Sequence, residues 1–107
     1  MELKKEMNQG TTAETVLLRE FYKRKGEKLW FGKLITLFMS EDKLSVNKNR
    51  ESYGKEISRG INFLIDFCLI EENYGETEKG YINMLYSITE NGESYAEEFF
   101  GKSIKED

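Results

Sequence analysis

The hydrophobic pattern changes its period near residue 69, and this change limits the folds that the chain can adopt. In residues 51–69 apolar side chains recur at helical spacing, and five of them share one face: Tyr53, Ile57, Ile61, Leu64 and Cys68. Residues 81–88 follow instead the two-residue period of a strand. A polar loop bounded by Gly75 and Gly80 precedes that strand. The chain therefore combines a long amphipathic helix with a β-hairpin that follows it.

Shorter signals predict the remaining elements. Residues 11–14 (Thr-Thr-Ala-Glu) have the sequence of a capping box, which predicts the start of a first helix. Thr89 predicts the N-cap of a last helix. The expected elements are a helix at 12–25, an extended piece at 27–30, a short helix or a strand at 31–39, a helix at 51–69, strands at 70–74 and 81–88, and a helix at 90–101.

A chain of 107 residues suits one domain with one modest core. Apolar residues make up 38% of it and aromatic residues 13%, a balance that favours a folded chain over a disordered one. There is no proline and no low-complexity linker, so we expect no boundary between domains. We expect a flexible segment at residues 1–10, a domain over residues 11–101 and a charged tail at residues 102–107.

The single cysteine, Cys68, excludes an intrachain disulfide and favours a reducing compartment. Its place on the apolar helix face predicts a buried, unreactive thiol. No stretch approaches the roughly 18 apolar residues of a membrane span, and residues 1–10 lack the apolar region of a signal peptide. We therefore expect a cytoplasmic protein with no membrane partner.

The composition argues against an enzyme. Without histidine the chain lacks the commonest general base, and one cysteine without histidine cannot supply the ligands of a zinc site. The glycine patterns that bind dinucleotides or nucleotide phosphates are also missing. We expect no catalytic residues, no cofactor and no metal.

Charge is distributed unevenly along the chain. Residues 1–59 carry 13 Lys and Arg against 9 Asp and Glu, a net charge of +4, whereas residues 60–107 carry 3 against 11, a net charge of −8. Together the two parts give the overall charge of −4. Such asymmetry suggests a surface for a polyanion. A solvated helix of mixed charge is the alternative interpretation.

The basic residues within 48–59 mostly share the side of the long helix that faces away from the apolar stripe. Arg50 would point inward in a continuous helix, so we place it before the helix or in its first turn. The polar residues on the side opposite the apolar stripe are Lys48 (if it is helical), Ser52, Lys55, Arg59, Asn62 and Asp66.

Two stretches resemble the winged helix-turn-helix regulators of the broad MarR/PadR-like class. Residues 57–72 look like a recognition helix that runs into a wing, although Cys68 stands where glycine is usual. Residues 86–92 (Tyr-Ser-Ile-Thr-Glu-Asn-Gly) resemble the junction between the second wing strand and the final helix. The implied fold is α+β and mainly α, with three helices, a two-stranded wing and a C-terminal helix.

The resemblance implies a small transcriptional regulator that binds double-stranded DNA as a homodimer, with residues 51–69 in the major groove. The wing would add little, because Glu76 and Glu78 repel phosphates. The turn at residues 40–49 is also longer than is usual between the two helices. The residues expected to contact phosphates or base edges are Lys48, Arg50, Ser52, Lys55, Arg59, Asn62 and Lys79.

The alternative function is a protein-interaction module that uses the same fold without DNA. The acidic half and the aromatic pair Phe99 and Phe100 would then form a dimer or partner surface. Ordinary packing of one ring, with the other partly exposed, is the competing interpretation of that pair.

Overall fold

The computed structural model describes residues 12–101, which form four helices and one antiparallel sheet of three strands. This arrangement confirms the α+β class, and the run at residues 31–39 is helical. The segments at 1–10 and 102–107 lie outside the described residues. The elements are α1 (Ala13–Lys23), β1 (Leu29–Trp30), α2 (Phe31–Ser40), α3 (Arg50–Asp66), β2 (Ile70–Glu76), β3 (Ile82–Ile88) and α4 (Glu90–Phe100).

The strands follow the order β1-β3-β2 across the sheet. β2 and β3 form the predicted hairpin, and all seven residues of each strand are paired with the other. The extended piece before α2 becomes a third strand, in which Leu29 lies opposite Tyr86 and Trp30 opposite Leu85. β1 therefore ties the start of α2 to the hairpin.

The core includes the inner face of α3, as its apolar stripe predicts. The Tyr53 hydroxyl lies 3.3 Å from both the Asp42 carboxylate and the Leu44 carbonyl oxygen and donates to them, which holds the loop between α2 and α3 against the core. Burial of side chains of this size stabilises a fold by about 1.5–3 kcal/mol each. The buried residues of this face are Tyr53, Ile57, Ile61 and Leu64.

The fifth residue of that stripe, Cys68, is exposed, so the prediction of a buried thiol is wrong. α3 ends at Asp66, and Cys68 adopts a left-handed conformation with a φ of 62°. The N–H groups of Cys68 and Leu69 donate to the carbonyl oxygens of Ile65 and Leu64, a pattern that ends helices through one left-handed residue. Glycine adopts that conformation without strain because it has no Cβ, whereas this chain has cysteine there.

The two predicted N-caps have different outcomes. Thr89 caps α4 as predicted, because its hydroxyl accepts the N–H of Gly92 at 2.9 Å. The capping box expected at residues 11–14 begins at Thr11, which lies outside the described residues. Within them, Thr12 is the N-cap of α1, and its side chain makes no cap hydrogen bond. The carboxylate of Glu14 reaches across to a guanidinium on α3 instead.

α1 and α3 approach closely at Gly60. A Cβ on Gly60 would lie 2.5 Å from Cδ1 of Leu17 and 3.2 Å from the backbone carbonyl carbon of Ala13, so this crossing needs glycine. Gly54, elsewhere on the same helix, has room for a Cβ, since its nearest neighbour would be Cδ1 of Ile35 at 3.7 Å.

We expect Gly60→Ala to destabilise the protein and Gly54→Ala to stabilise it. At Gly60, overpacking costs about 1–3 kcal/mol and outweighs the propensity gain of up to about 1 kcal/mol. At Gly54 only a gain of about 0.5–1 kcal/mol remains. Urea unfolding measures both changes. Equal stabilities of the two variants would contradict the close approach of α1 and α3 at Gly60.

Candidate nucleic-acid interface

The seven residues expected to contact DNA lie in two parts of the fold. Lys48 precedes α3, and Lys79 lies in the loop between β2 and β3. The side chain of Asn49 caps α3 and places Arg50 as its first residue, which confirms the first-turn position expected for Arg50. The residues on α3 itself are Arg50, Ser52, Lys55, Arg59 and Asn62.

A groove of about 740 Å³ lies between α2 and α3. Phe31 and Ile35 line it from α2, and Gly54 leaves it open on the side of α3. Ser52 faces a separate hollow, and Lys79 lies beside another face of α2. The structure thus brings four of the seven residues together in the groove: Arg50, Lys55, Arg59 and Asn62.

The guanidinium of Arg59 is held by two carboxylates. Its Nη2 lies 2.9 Å from Oε1 of Glu14 and 3.2 Å from Oε1 of Glu56. Only 8% of the Glu14 side chain is exposed, so Arg59 compensates a buried charge. Arg59 therefore joins α1 to α3 and is less free to contact a base than its place on the helix suggests.

The cations near the start of α3 are more accessible. Lys48 is exposed, and Nζ of Lys55 lies 4.0 Å from Oε2 of Glu51 in a surface pair of the weak, solvated kind. Nη1 of Arg50 donates to the hydroxyl of Thr36 on α2 at 3.4 Å. Within the groove, the positive charge available to an anion therefore lies near the N-terminal end of α3, on Arg50 and Lys55.

The loop between β2 and β3 lies against the start of α2. The Glu78 carboxylate accepts the indole N–H of Trp30 at 3.2 Å and lies 3.7 Å from Nζ of Lys33. Nζ of Lys79 lies 5.9 Å from the centre of the Trp30 ring. A hydrogen bond from its own backbone N–H, then the Trp30 and Lys33 contacts, lower the pKa of Glu78 below its ordinary value.

Sequence reasoning missed Trp30, Lys33 and Glu78 as members of one cluster. Trp30 and Glu78 are 48 positions apart, and no pattern in the chain links them. The one usable signal was Lys33, a charged residue inside the apolar run at 31–39, which has to point away from the core.

The chain matches no protein-family model, and no curated protein matches it with significance. Within residues 12–101, no group of three or more histidine, cysteine, aspartate or glutamate side chains is arranged to hold a metal ion. Nor does any helix of that region have the length and apolar character needed to cross a membrane. The function of the candidate surface has to be inferred from its own geometry.

We expect Arg59→Ala to destabilise the protein by about 1–3 kcal/mol, because it leaves Glu14 buried without its partner. Lys55→Ala also removes one positive charge, one helical turn before Arg59, and should change the free energy of unfolding by less than about 0.5 kcal/mol. Urea unfolding compares the two variants. Adding Glu14→Gln to Arg59→Ala should recover part of the loss. An Arg59→Ala variant as stable as Lys55→Ala would contradict a stabilising pair.

Proposed function

We propose that the chain is a winged helix-turn-helix protein that binds double-stranded DNA and regulates transcription. The order of the elements (helix, strand, two helices, hairpin, helix) and the strand order β1-β3-β2 support this class. In this assignment α2 and α3 form the helix-turn-helix, and β2 and β3 form the wing.

The observation that carries the proposal is the exposed positive charge near the start of α3. The N-terminal residues of a recognition helix are those that meet DNA, and Lys48, Arg50 and Lys55 are exposed there. Contacts of these cations with phosphates would position the helix on the duplex. Asn62, which lines the same groove, has the donor and acceptor needed to contact a base edge.

Two features limit how α3 would read a sequence. Arg59, the residue best suited to a guanine, is already paired with carboxylates. The connection between α2 and α3 spans nine residues, 41–49, which is longer than the usual turn. However, the Tyr53 hydroxyl and the Asn49 cap hold both ends of that connection, so they support one position for the start of α3.

We expect the protein to bind duplex DNA with an affinity that falls steeply as salt rises, because bound cations are released. Arg50→Gln with Lys55→Gln should weaken binding by about ten-fold or more and reduce the logarithmic salt slope by about 0.9 for each lost phosphate contact. Fluorescence anisotropy measures the affinity and its salt slope, with duplexes of random sequence and duplexes taken from the DNA upstream of the gene.

Lys25→Gln is the single-charge control for that experiment, and it is compared with Lys55→Gln alone. Lys25 lies over the ring of Tyr22, whose hydroxyl donates to Glu97 of α4, so this charge lies beside α4. The control should leave the affinity almost unchanged. No binding to any duplex at low salt, or an equal loss in the control, would contradict the proposal. The homodimer implied by the resemblance stays a prediction.

A protein partner is the second candidate function, and an apolar face of the hairpin favours it. Tyr74 and Ile82 are 77% and 74% exposed, and Met84 lies opposite Tyr74. Glu72 and Glu76 occupy the same face, because alternate residues of a strand share a side. A partner segment that fits this face would therefore carry apolar and basic side chains.

The aromatic pair that the alternative function would place in a partner surface lies in the core. Phe99 and Phe100 are 7% and 8% exposed, and their rings stack with centroids 4.9 Å apart. The guanidinium of Arg19 covers the Phe100 ring at 4.5 Å. Both rings therefore support the packing of α4 rather than an interface.

Tyr74→Ser with Ile82→Ser tests the second candidate. Affinity capture from an extract of the source cells should recover a partner with a basic, apolar segment, and the double variant should lose that same partner because its apolar contacts are gone. Tyr81→Ser, which alters an exposed tyrosine just before β3, should retain it. Recovery of the same proteins by the native chain and the double variant would reject this candidate.

A further inference from the structure

A second cluster of cations surrounds a pocket of about 330 Å³ between the wing loop and α2. α2 contributes Lys33 and the hydroxyls of Thr36 and Ser40, and the wing loop contributes Lys79. The Trp30 ring forms part of the wall. The Ser40 hydroxyl donates to the carbonyl oxygen of Leu37 at 2.9 Å, so the pocket offers two lysines and the Thr36 hydroxyl beside an aromatic surface.

A carboxylate of the protein already fills the donor end of this pocket. The two oxygens of Glu78 lie 3.2 and 3.3 Å from Nε1 of Trp30, and one of them lies 3.7 Å from Nζ of Lys33. The indole is held in place because its ring packs over Gly32, where a Cβ would lie 2.5 Å from Cζ3 of Trp30. The N–H of Trp30 and the Lys33 ammonium are therefore aimed at one anionic group.

We propose that this pocket is a phosphate site that Glu78 occupies in the free protein. Carboxylates and phosphates are bound by the same charge-assisted donors, so the contacts of Glu78 mark where a phosphate oxygen would bind. About half of the Glu78 side chain (51%) is exposed, and a solvated pair of this kind is weak enough to be exchanged. If duplex DNA supplies the phosphate, the proposal rests on the DNA-binding function proposed above.

The position of the pocket fits a phosphate of the same duplex that α3 would contact. Thr36 lines the pocket, and its hydroxyl lies 3.4 Å from Nη1 of Arg50, the first residue of α3. Lys33 and Arg50 therefore flank one residue of α2 from two sides. A DNA backbone bound along this line would contact both the pocket and the start of α3.

The DNA arm of the test compares Glu78→Ala with Glu76→Ala in the full chain. Both remove one carboxylate from the hairpin, but Glu76 lies outside the pocket. We expect Glu78→Ala to bind a duplex about five-fold more tightly than the native chain, with a logarithmic salt slope steeper by about 0.9, the value for one added phosphate contact. Glu76→Ala should change neither quantity by a comparable amount. Adding Lys33→Gln to Glu78→Ala should remove the gain.

A gain no larger in Glu78→Ala than in Glu76→Ala, or a gain that survives Lys33→Gln, would overturn DNA phosphate as the ligand. Thermal unfolding of each variant checks that the fold is retained. If no variant and no native chain binds DNA at low salt, the proposed function fails, and the site is then decided by the free-phosphate arm alone.

The free-phosphate arm uses Trp30, the only tryptophan of the chain, as a reporter inside the pocket. Inorganic phosphate should change the Trp30 emission of Glu78→Ala with saturation, and Lys33→Gln should abolish the change. A response to the duplex but not to inorganic phosphate identifies the DNA backbone as the source, whereas a response to inorganic phosphate alone identifies a free phosphate ligand. No response to either overturns the site.

Discussion

The contact that joins the end of α3 to the start of α4 determines the position of the hairpin between them. The Thr89 hydroxyl donates to the carbonyl oxygen of Cys68 at 2.7 Å and accepts the N–H of Gly92 at 2.9 Å. The N–H of Thr89 donates to the carbonyl oxygen of Leu69 at 3.1 Å. A Cβ on Gly92 would overlap that same oxygen, so the approach requires glycine. The hairpin is thereby closed at its base, and its loop is carried toward α2.

The residues of this junction are among those on which the resemblance to winged helix-turn-helix regulators rests. The threonine and glycine of residues 86–92, and the left-handed residue at position 68, are what the chain needs to end one helix and start another within a closed hairpin. None of them lies on the exposed face of α3. They therefore support an architecture, and support for DNA binding has to come from separate residues such as Lys48 and Arg50.

Periodicity predicted the elements well where the pattern depends only on residues within one helix or strand. Tyr53 and Ile57 were expected on the buried face of α3, and are buried there, because apolar residues at helical spacing mark the side of a helix that packs against the core. Cys68 was misplaced because the helical spacing of apolar residues continues to position 68, whereas α3 ends at Asp66 and Cys68 itself adopts the left-handed conformation. Glu14 of the expected capping box pairs with Arg59, 45 positions away, and the sequence could not show this because the pair exists only after α1 and α3 have packed.

Two sets of long-range contacts in the candidate surface also form only after packing: Arg59 with Glu14, and Trp30 and Lys33 with Glu78. The two carboxylates differ in their exposure to water, and this difference decides their roles. Arg59 and the cluster of Trp30 and Lys33 are donors suited to an anion, and in each case a carboxylate of the protein already occupies them. Glu14 is 8% exposed, so removing its partner would leave a buried charge without compensation. Glu78 is half exposed, and water replaces its partners at little cost. Arg59 is therefore chiefly a link between helices, and the loop between β2 and β3 is the place where we propose that an external anion displaces an internal one.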